Sequence, residues 1–264
     1  MTKFISILSG KGGVGKTTTA TNLGYALTKL GRDVIVLDAN FTTPNLNLHL
    51  GAVNLPTTFH DVVQGKTDIT NAIYQHKSGI KVIPASMSLK HLKELDFKAA
   101  RDALSKLKGL TDIVIVDGAA GLGDESVIML EAADEVLIIA NPEITSVSGA
   151  VRTVKVANEM KKVVLGVVLT RVRGDKLEMK DADIEKVLEL PIIAKIPYHK
   201  EVKQSIIRKH PATYIYPENK ASKEYFNLAQ KLLGAKFNSD IEPNIFYGFL
   251  RKIGIRIERG RQAP

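Results

Sequence analysis

The 264-residue chain has no cysteine and no tryptophan, and only 6% of it is aromatic. Without a thiol it can form no disulfide, thiolate metal centre or iron–sulfur ligation, which fits a reducing compartment. Its six histidines fall at no metal-ligand spacing, which argues against a zinc site. No apolar run reaches the length that crosses a bilayer. The first residues enter a strand-like "KFISILS" directly, with no basic leader and long apolar stretch, so a cytoplasmic protein is expected. Acid is also scarce: 37 Lys and Arg against 28 Asp and Glu leave a formal charge of +9. That balance favours a polyanionic partner such as nucleotide, nucleic acid or an anionic membrane, without choosing among them.

What is present is an alternation of short apolar runs with amphipathic stretches. The β-branched runs predict strands over 3–8, 33–38, 80–84, 112–117, 134–140, 163–169 and 192–196. Helices are predicted over 16–30, 97–108, 124–132, 145–160, 181–189, 199–208 and 219–233. Most of the strands are apolar almost throughout, as strands covered on both faces must be. The pattern is that of an α/β fold: a doubly wound, mostly parallel sheet with helices on both faces, whose ligands bind at the C-terminal ends of the strands. One composition shift, "GAKFNSDIEPN", divides the chain into a domain over 1–233, a linker over 234–244 and a tail over 245–264.

The segment "SGKGGVGKTTTA" contains G-x-x-x-x-G-K-[ST] as Gly10, Gly15, Lys16 and Thr17, between a predicted strand and a predicted helix. Such a loop turns backbone N–H groups inward around phosphates, and the helix N-terminus adds partial positive charge. Lys16 is expected on the β- and γ-phosphates of a nucleotide and the Thr17 hydroxyl on Mg²⁺. Two further strands end in acid, "VIVLDAN" at Asp38 and "DIVIVDGAAG" at Asp117. Either alone would serve as a turn cap; beside a phosphate loop they suit a Mg²⁺ site and a segment that senses the γ-phosphate. A second lysine, Lys11, is more than the pattern needs.

"KGGVGKTTT" resembles the deviant Walker A loop of the MinD/ParA ATPases, whose signature lysine corresponds to Lys11. "LDAN", "PNLNLHLG", "VDGAAG", "ADEVLIIANPEITSV" and "IPYHKEVKQSIIRKHPATYIYPENKASKEYFNLA" are similar to the MinD branch in the same order, over about residues 2–233. The resemblance implies a SIMIBI-type P-loop NTPase that binds ATP and Mg²⁺ and forms a homodimer in the ATP state. Lys11 would then reach the partner's phosphates, as an arginine finger does. It implies nucleotide contacts from Gly10, Lys11, Gly12, Gly13, Val14, Gly15, Lys16, Thr17, Thr18 and Glu143, with Thr170, Arg171, Pro197 and Tyr198 flanking the base. Metal would be held by Thr17, Asp38 and Asp117, the acids partly through water. The chain departs from the family at Asn40, where a second Asp usually serves the hydrolytic water, so slow turnover is expected. It also has Ala119 for a usual Pro and Thr170 for a usual Asn.

On a helical wheel the tail segment "IFYGFLRKIGIRIER" gathers Ile245, Phe246, Phe249, Leu250, Ile253 and Ile257 on one face, flanked by basic residues. This suits an in-plane membrane helix, which the MinD branch also carries; the other reading is a helix or strand packed on protein. Two tails on one dimer would raise avidity about 10²–10⁴-fold, which would tie attachment to the inner face of the membrane to ATP. The function expected is a weakly hydrolysing positioning ATPase of the MinD kind, with an anionic membrane and an activating or cargo protein as partners. The alternatives are a ParA-like partition ATPase that binds DNA non-specifically and a nucleotide-gated adaptor with negligible hydrolysis.

Overall fold

Val, Ile and Leu alternate sides along each strand, so a strand apolar at every position needs cover on both faces. The computed structural model, which describes residues 2–52, 55–86, 96–121 and 123–234, provides that cover. Eight strands form one sheet: β1 (Lys3–Ser9), β2 (Val34–Ala39), β3 (Tyr74–Gln75), β4 (Lys81–Ile83), β5 (Ile113–Ala120), β6 (Glu135–Ala140), β7 (Val163–Val172) and β8 (Ile192–Pro197). Their spatial order is β3-β4-β2-β5-β1-β6-β7-β8. All neighbours pair in parallel except β3, which adds a short antiparallel edge to β4.

On one face, Phe4 and Leu8 of β1, Ile35 and Leu37 of β2, and Val114 and Val116 of β5 pack with α4 (Phe97–Ser105), α5 (Asp124–Ala132), α6 (Ile144–Glu159) and α7 (Asp181–Leu188). The alternate residues Ile5, Ile7, Val34, Val36, Ile113 and Ile115 pack on the other with α1 (Lys16–Lys29), α2 (Leu46–Leu50) and α10 (Lys220–Leu232). The helix α1 lies so close to the sheet that a Cβ on Gly24 would come within 2.5 Å of Val36 Cγ2. Short helices α3 (Phe59–Val63), α8 (Lys200–Ile207) and α9 (Ala212–Ile215) complete the cover.

From β1 the chain winds outward to β2 on one side and later to β6, β7 and β8 on the other, so the C-terminal end of β1 is the switch point where such sheets open a crevice. Register brings the acids there: Asp117 of β5 lies opposite Ile7 of β1 and opposite Asp38 of β2. Among the described residues no helix is long and apolar enough to cross a membrane. The tail residues Ile245 to Ile257 and all of the linker after Gly234 lie outside the described residues.

Candidate nucleotide site

The chain leaves β1 at Ser9 and enters α1 at Lys16, and the loop between needs glycine for two separate reasons. Gly13 and Gly15 have φ of 75° and 104°, a left-handed conformation that side chains with a Cβ disfavour. Gly10 instead meets backbone: a Cβ there would stand 2.0 Å from the carbonyl oxygen of Gly149 in α6. The buried Thr170 at the end of β7 donates its hydroxyl to the Val14 carbonyl and accepts from Asn141 Nδ2 at 2.9 Å, so it braces the loop from behind. Gly15 starts α1 without a side-chain cap, which leaves the first-turn N–H groups to an anion.

The two lysines of the loop differ in setting. Lys16 is buried at 8% exposure, with Nζ donating to Ser9 Oγ at 2.9 Å. Burial lowers its pKa and the Asp117 carboxylate works against that. Lys11 stands on the rim with 46% of its side chain exposed. Its Nζ donates to Thr145 Oγ1 at 3.0 Å and lies 3.5 Å from Glu143 Oε2, both at the start of α6.

Asp38 and Asp117 are both buried. Asp38 accepts the backbone N–H groups of Asn40 at 3.0 Å, Asn45 at 3.1 Å and Leu46 at 3.0 Å, which folds the loop after β2 back over the strand end. Burial first, and then the neighbouring Asp117, still push its carboxyl well above the ordinary range. Neither carboxylate oxygen of Asp117 has a hydrogen-bond partner among the described residues. Burial pushes Asp117 up to about 6, while the Thr17 hydroxyl and the Lys16 ammonium pull it down without making a bond of normal geometry. An orphaned buried carboxylate beside a hydroxyl at the head of a helix suits Mg²⁺, a hard cation that takes one or two protein oxygens and completes its shell with phosphate and water. Lys16 and Thr17 line a cleft of ≈ 780 Å³ together with Gly12, Gly13, Asn40, Thr43, Gly118 and Ala120, whereas the buried Asp38 and Asp117 are not in its lining.

The model of the CobQ/CobB/MinD/ParA nucleotide binding domain matches residues 5–212, a span that holds every residue of this cleft. The chain belongs to this family. It is 36% identical over 238 residues to an uncharacterised ATP-binding protein of Methanocaldococcus jannaschii, covering 90% of each chain. It is similar to the cell division ATPase MinD of Pyrococcus furiosus, at 31% identity and a TM-score of 0.85, covering 89% of this chain and 99% of that one. The septum site-determining protein MinD of Pyrococcus horikoshii, solved with Mg-ADP, gives 29% identity and a TM-score of 0.84 over 90% of this chain and 100% of that one.

Against the MinD/ParA pattern, the departures have local explanations. The side-chain oxygen of Asn40 accepts from Thr43 N and Thr43 Oγ1, both at 3.1 Å, so it is committed to a turn and the amide nitrogen is the group left for the cleft. Thr170, expected beside the base, has its hydroxyl tied to Val14 and Asn141, but it shares with Arg171, Pro197 and Tyr198 a recess that opens off Val14, Gly15 and Thr18. Arg173 lies 4.7 Å over the Tyr198 ring. Glu143 is not in the cleft lining; it occupies the N-cap position of α6 without a side-chain cap and faces Lys11. Residues that the motifs do not announce also belong here. Ser9 holds Lys16, Thr145 holds Lys11, Thr42 donates to Glu125 across the cleft mouth, and His49 of α2 lines the cleft.

Proposed function

We propose that the chain is a MinD-like ATPase that binds ATP with Mg²⁺, dimerises around it and hydrolyses it slowly. In the ATP state it attaches to an anionic membrane through the tail and so positions a cellular complex such as the division site. Backbone N–H groups of Gly12 to Thr17 and the ammonium of Lys16 hold the phosphates, with Lys16 leaving Ser9 to do so. Thr17 and Asp117 hold the metal, Asp117 partly through water, and Asp38 keeps the loop that carries Asn40 against the cleft. Mg²⁺, when bound, neutralises charge that builds on the β- and γ-phosphate oxygens. Asn40 presents its amide nitrogen, a donor that orients water or phosphate oxygen but accepts no proton, which keeps turnover slow.

The observation that carries this reading is Lys11. A phosphate loop needs only Lys16, and the second cation stands 46% exposed on the rim, held by two side chains of α6. A cation there completes the charge balance of a second nucleotide when another copy of the chain closes on it, which makes dimerisation depend on ATP. Lys11→Ala is expected to keep nucleotide affinity and to lose the ATP-dependent dimer in size-exclusion chromatography with a non-hydrolysable analogue. Lys16→Ala is expected to lose nucleotide itself. A Lys11→Ala protein that still dimerises would remove the trans role. Sedimentation with anionic liposomes, and in parallel with DNA, compares the full chain with one ending at Gly234. Full-chain binding to liposomes with ATP but not ADP, lost on truncation, is the expected result; binding to DNA alone would favour partition.

A further inference from the structure

Beside the nucleotide cleft, which His49 of α2 and Ile206 of α8 line, Leu50 of α2 and the turn that follows α8 line a second concavity, of ≈ 380 Å³, that shares no lining residue with the first. Leu55 and the Tyr74 ring supply apolar surface in it, with Leu50 and Val82 almost fully buried. His76 and Lys77 reach it from the turn between β3 and β4, and Arg208, Lys209 and His210 from the end of α8. Among the described residues five basic side chains line it and no carboxylate does. Lys77, Arg208 and Lys209 join none of the ion pairs among the described residues.

The backbone goes to some length to gather these groups. Lys209 follows the C-cap of α8 with φ of 60°, the left-handed position where glycine is usual. Its N–H donates to Ile206 O at 3.0 Å and the N–H of His210 to Ser205 O at 3.1 Å, closing the turn. The lysine stem then lies along Gly51, so closely that a Cβ on Gly51 would stand 2.7 Å from Lys209 Cδ. His76 ties the opposite wall to this turn, with Nε2 3.1 Å from Lys209 O and Nδ1 accepting from Ser78 N at 3.1 Å. The His76 and His210 rings are 5.0 Å apart. Burial first, then the neighbouring basic groups, hold both imidazoles below their ordinary pKa. The cations Lys77, Arg208 and Lys209, brought together without a counter-ion among the described residues, favour an anion from outside.

We infer that this concavity is a second ligand site, distinct from the nucleotide cleft, that takes a small organic phosphate. A phosphomonoester dianion is held by Lys77, Arg208 and Lys209, and its apolar body rests on Leu55 and the Tyr74 ring. The volume falls in the range of small-molecule sites, about 300–1,000 Å³, and cations converging from two segments onto a partly apolar hollow suit a compact dianion with a body rather than an extended polymer.

The test uses the full chain saturated with Mg-ADP, so that the phosphate loop is blocked, titrated with phenyl phosphate and followed by backbone amide NMR. Saturable shifts at Lys77 and at Lys209–His210 are expected. Lys77→Glu and Lys209→Gly should each weaken binding about tenfold or more. Lys209→Gly should melt no lower than wild type, because glycine suits the left-handed turn, so its loss of binding is not a loss of fold. Inorganic phosphate should bind to the same residues more weakly than phenyl phosphate; equal affinity would overturn the role of the apolar floor. Absent or non-saturable shifts, or unchanged affinity in both variants, would overturn the site. A short DNA duplex or phosphatidylglycerol vesicles that displace phenyl phosphate, and lose binding in the same variants, would replace the small ligand with a polyanionic surface.

Discussion

The ends of β2 and β5 carry one aspartate each, opposite one another in register and buried alike, at 0% and 1% exposure. Their surroundings are otherwise opposite. Asp38 accepts three backbone N–H groups and Asp117 accepts none from the described residues. A buried acceptor without a donor is costly, and an ion or water from outside the protein is one way to satisfy it. Asp38 fixes the loop from Asn40 to Leu46, and on the proposed reading Asp117 is the acid left for the ligand.

Removing the structural acid should have the largest effect. Asp38→Ala strands three backbone donors and is expected to lower stability by about 2–4 kcal/mol in urea denaturation. A loss well under 1 kcal/mol would mean that the loop holds itself. Asp117→Asn should do the reverse to the nucleotide-free protein, raising stability near neutral pH by about 1–3 kcal/mol as an uncompensated buried charge disappears. The same variant should lose the Mg²⁺ dependence of nucleotide binding in calorimetry; retaining it would give the metal to another group. Asn40→Asp keeps the oxygen that caps Thr43 and puts a carboxylate oxygen where the amide nitrogen was. Single-turnover hydrolysis should rise roughly 3- to 30-fold, a modest gain because a dissociative transition state needs little base assistance. Equal rates would take Asn40 away from the water.

The smallest effect sharpens the comparison from within the loop's own helix. Burial drops the His49 imidazole to about 4. The unfolded chain takes up this proton near pH 6.5, so His49 contributes full stability above that value and loses it as pH falls toward about 4. His49→Asn should flatten that part of the pH–stability curve by about 1 kcal/mol, the figure being reduced because the ring is half-buried. An unchanged curve would place the ring in water.

Sequence patterning predicts the seven longer strands and seven helices, since each is a run long enough to show its apolar period. Their ends move slightly: the strand expected over 80–84 is Lys81–Ile83, and the helix expected over 97–108 stops at Ser105. The elements α2, α3, α9 and β3 went unpredicted because two to five residues show no period and are shaped by what they pack against. At the site, the phosphate loop is legible because eight consecutive residues carry its chemistry. The pairing of Asp38 with Asp117 is not, because parallel register across a long crossover leaves no local trace. The Asn40–Thr43 turn did have a signal, a side-chain amide followed three residues later by threonine. His49 and Thr145 had none; only the fold brings them to the cleft and to Lys11.

The contact of Gly10 with Gly149 reaches further than packing. Position 149 lies far along the chain, yet its backbone is what excludes a side chain at Gly10 and so holds the phosphate loop to its path. In a deep mutational library, Gly10 should tolerate nothing, whereas Gly149 should admit alanine at a penalty, because a Cβ there meets Gly10 at 3.1 Å and not 2.0 Å. A transplant of "SGKGGVGKT" into another sheet would therefore need a helix whose backbone lies as close to the loop and carries a small residue at the contact.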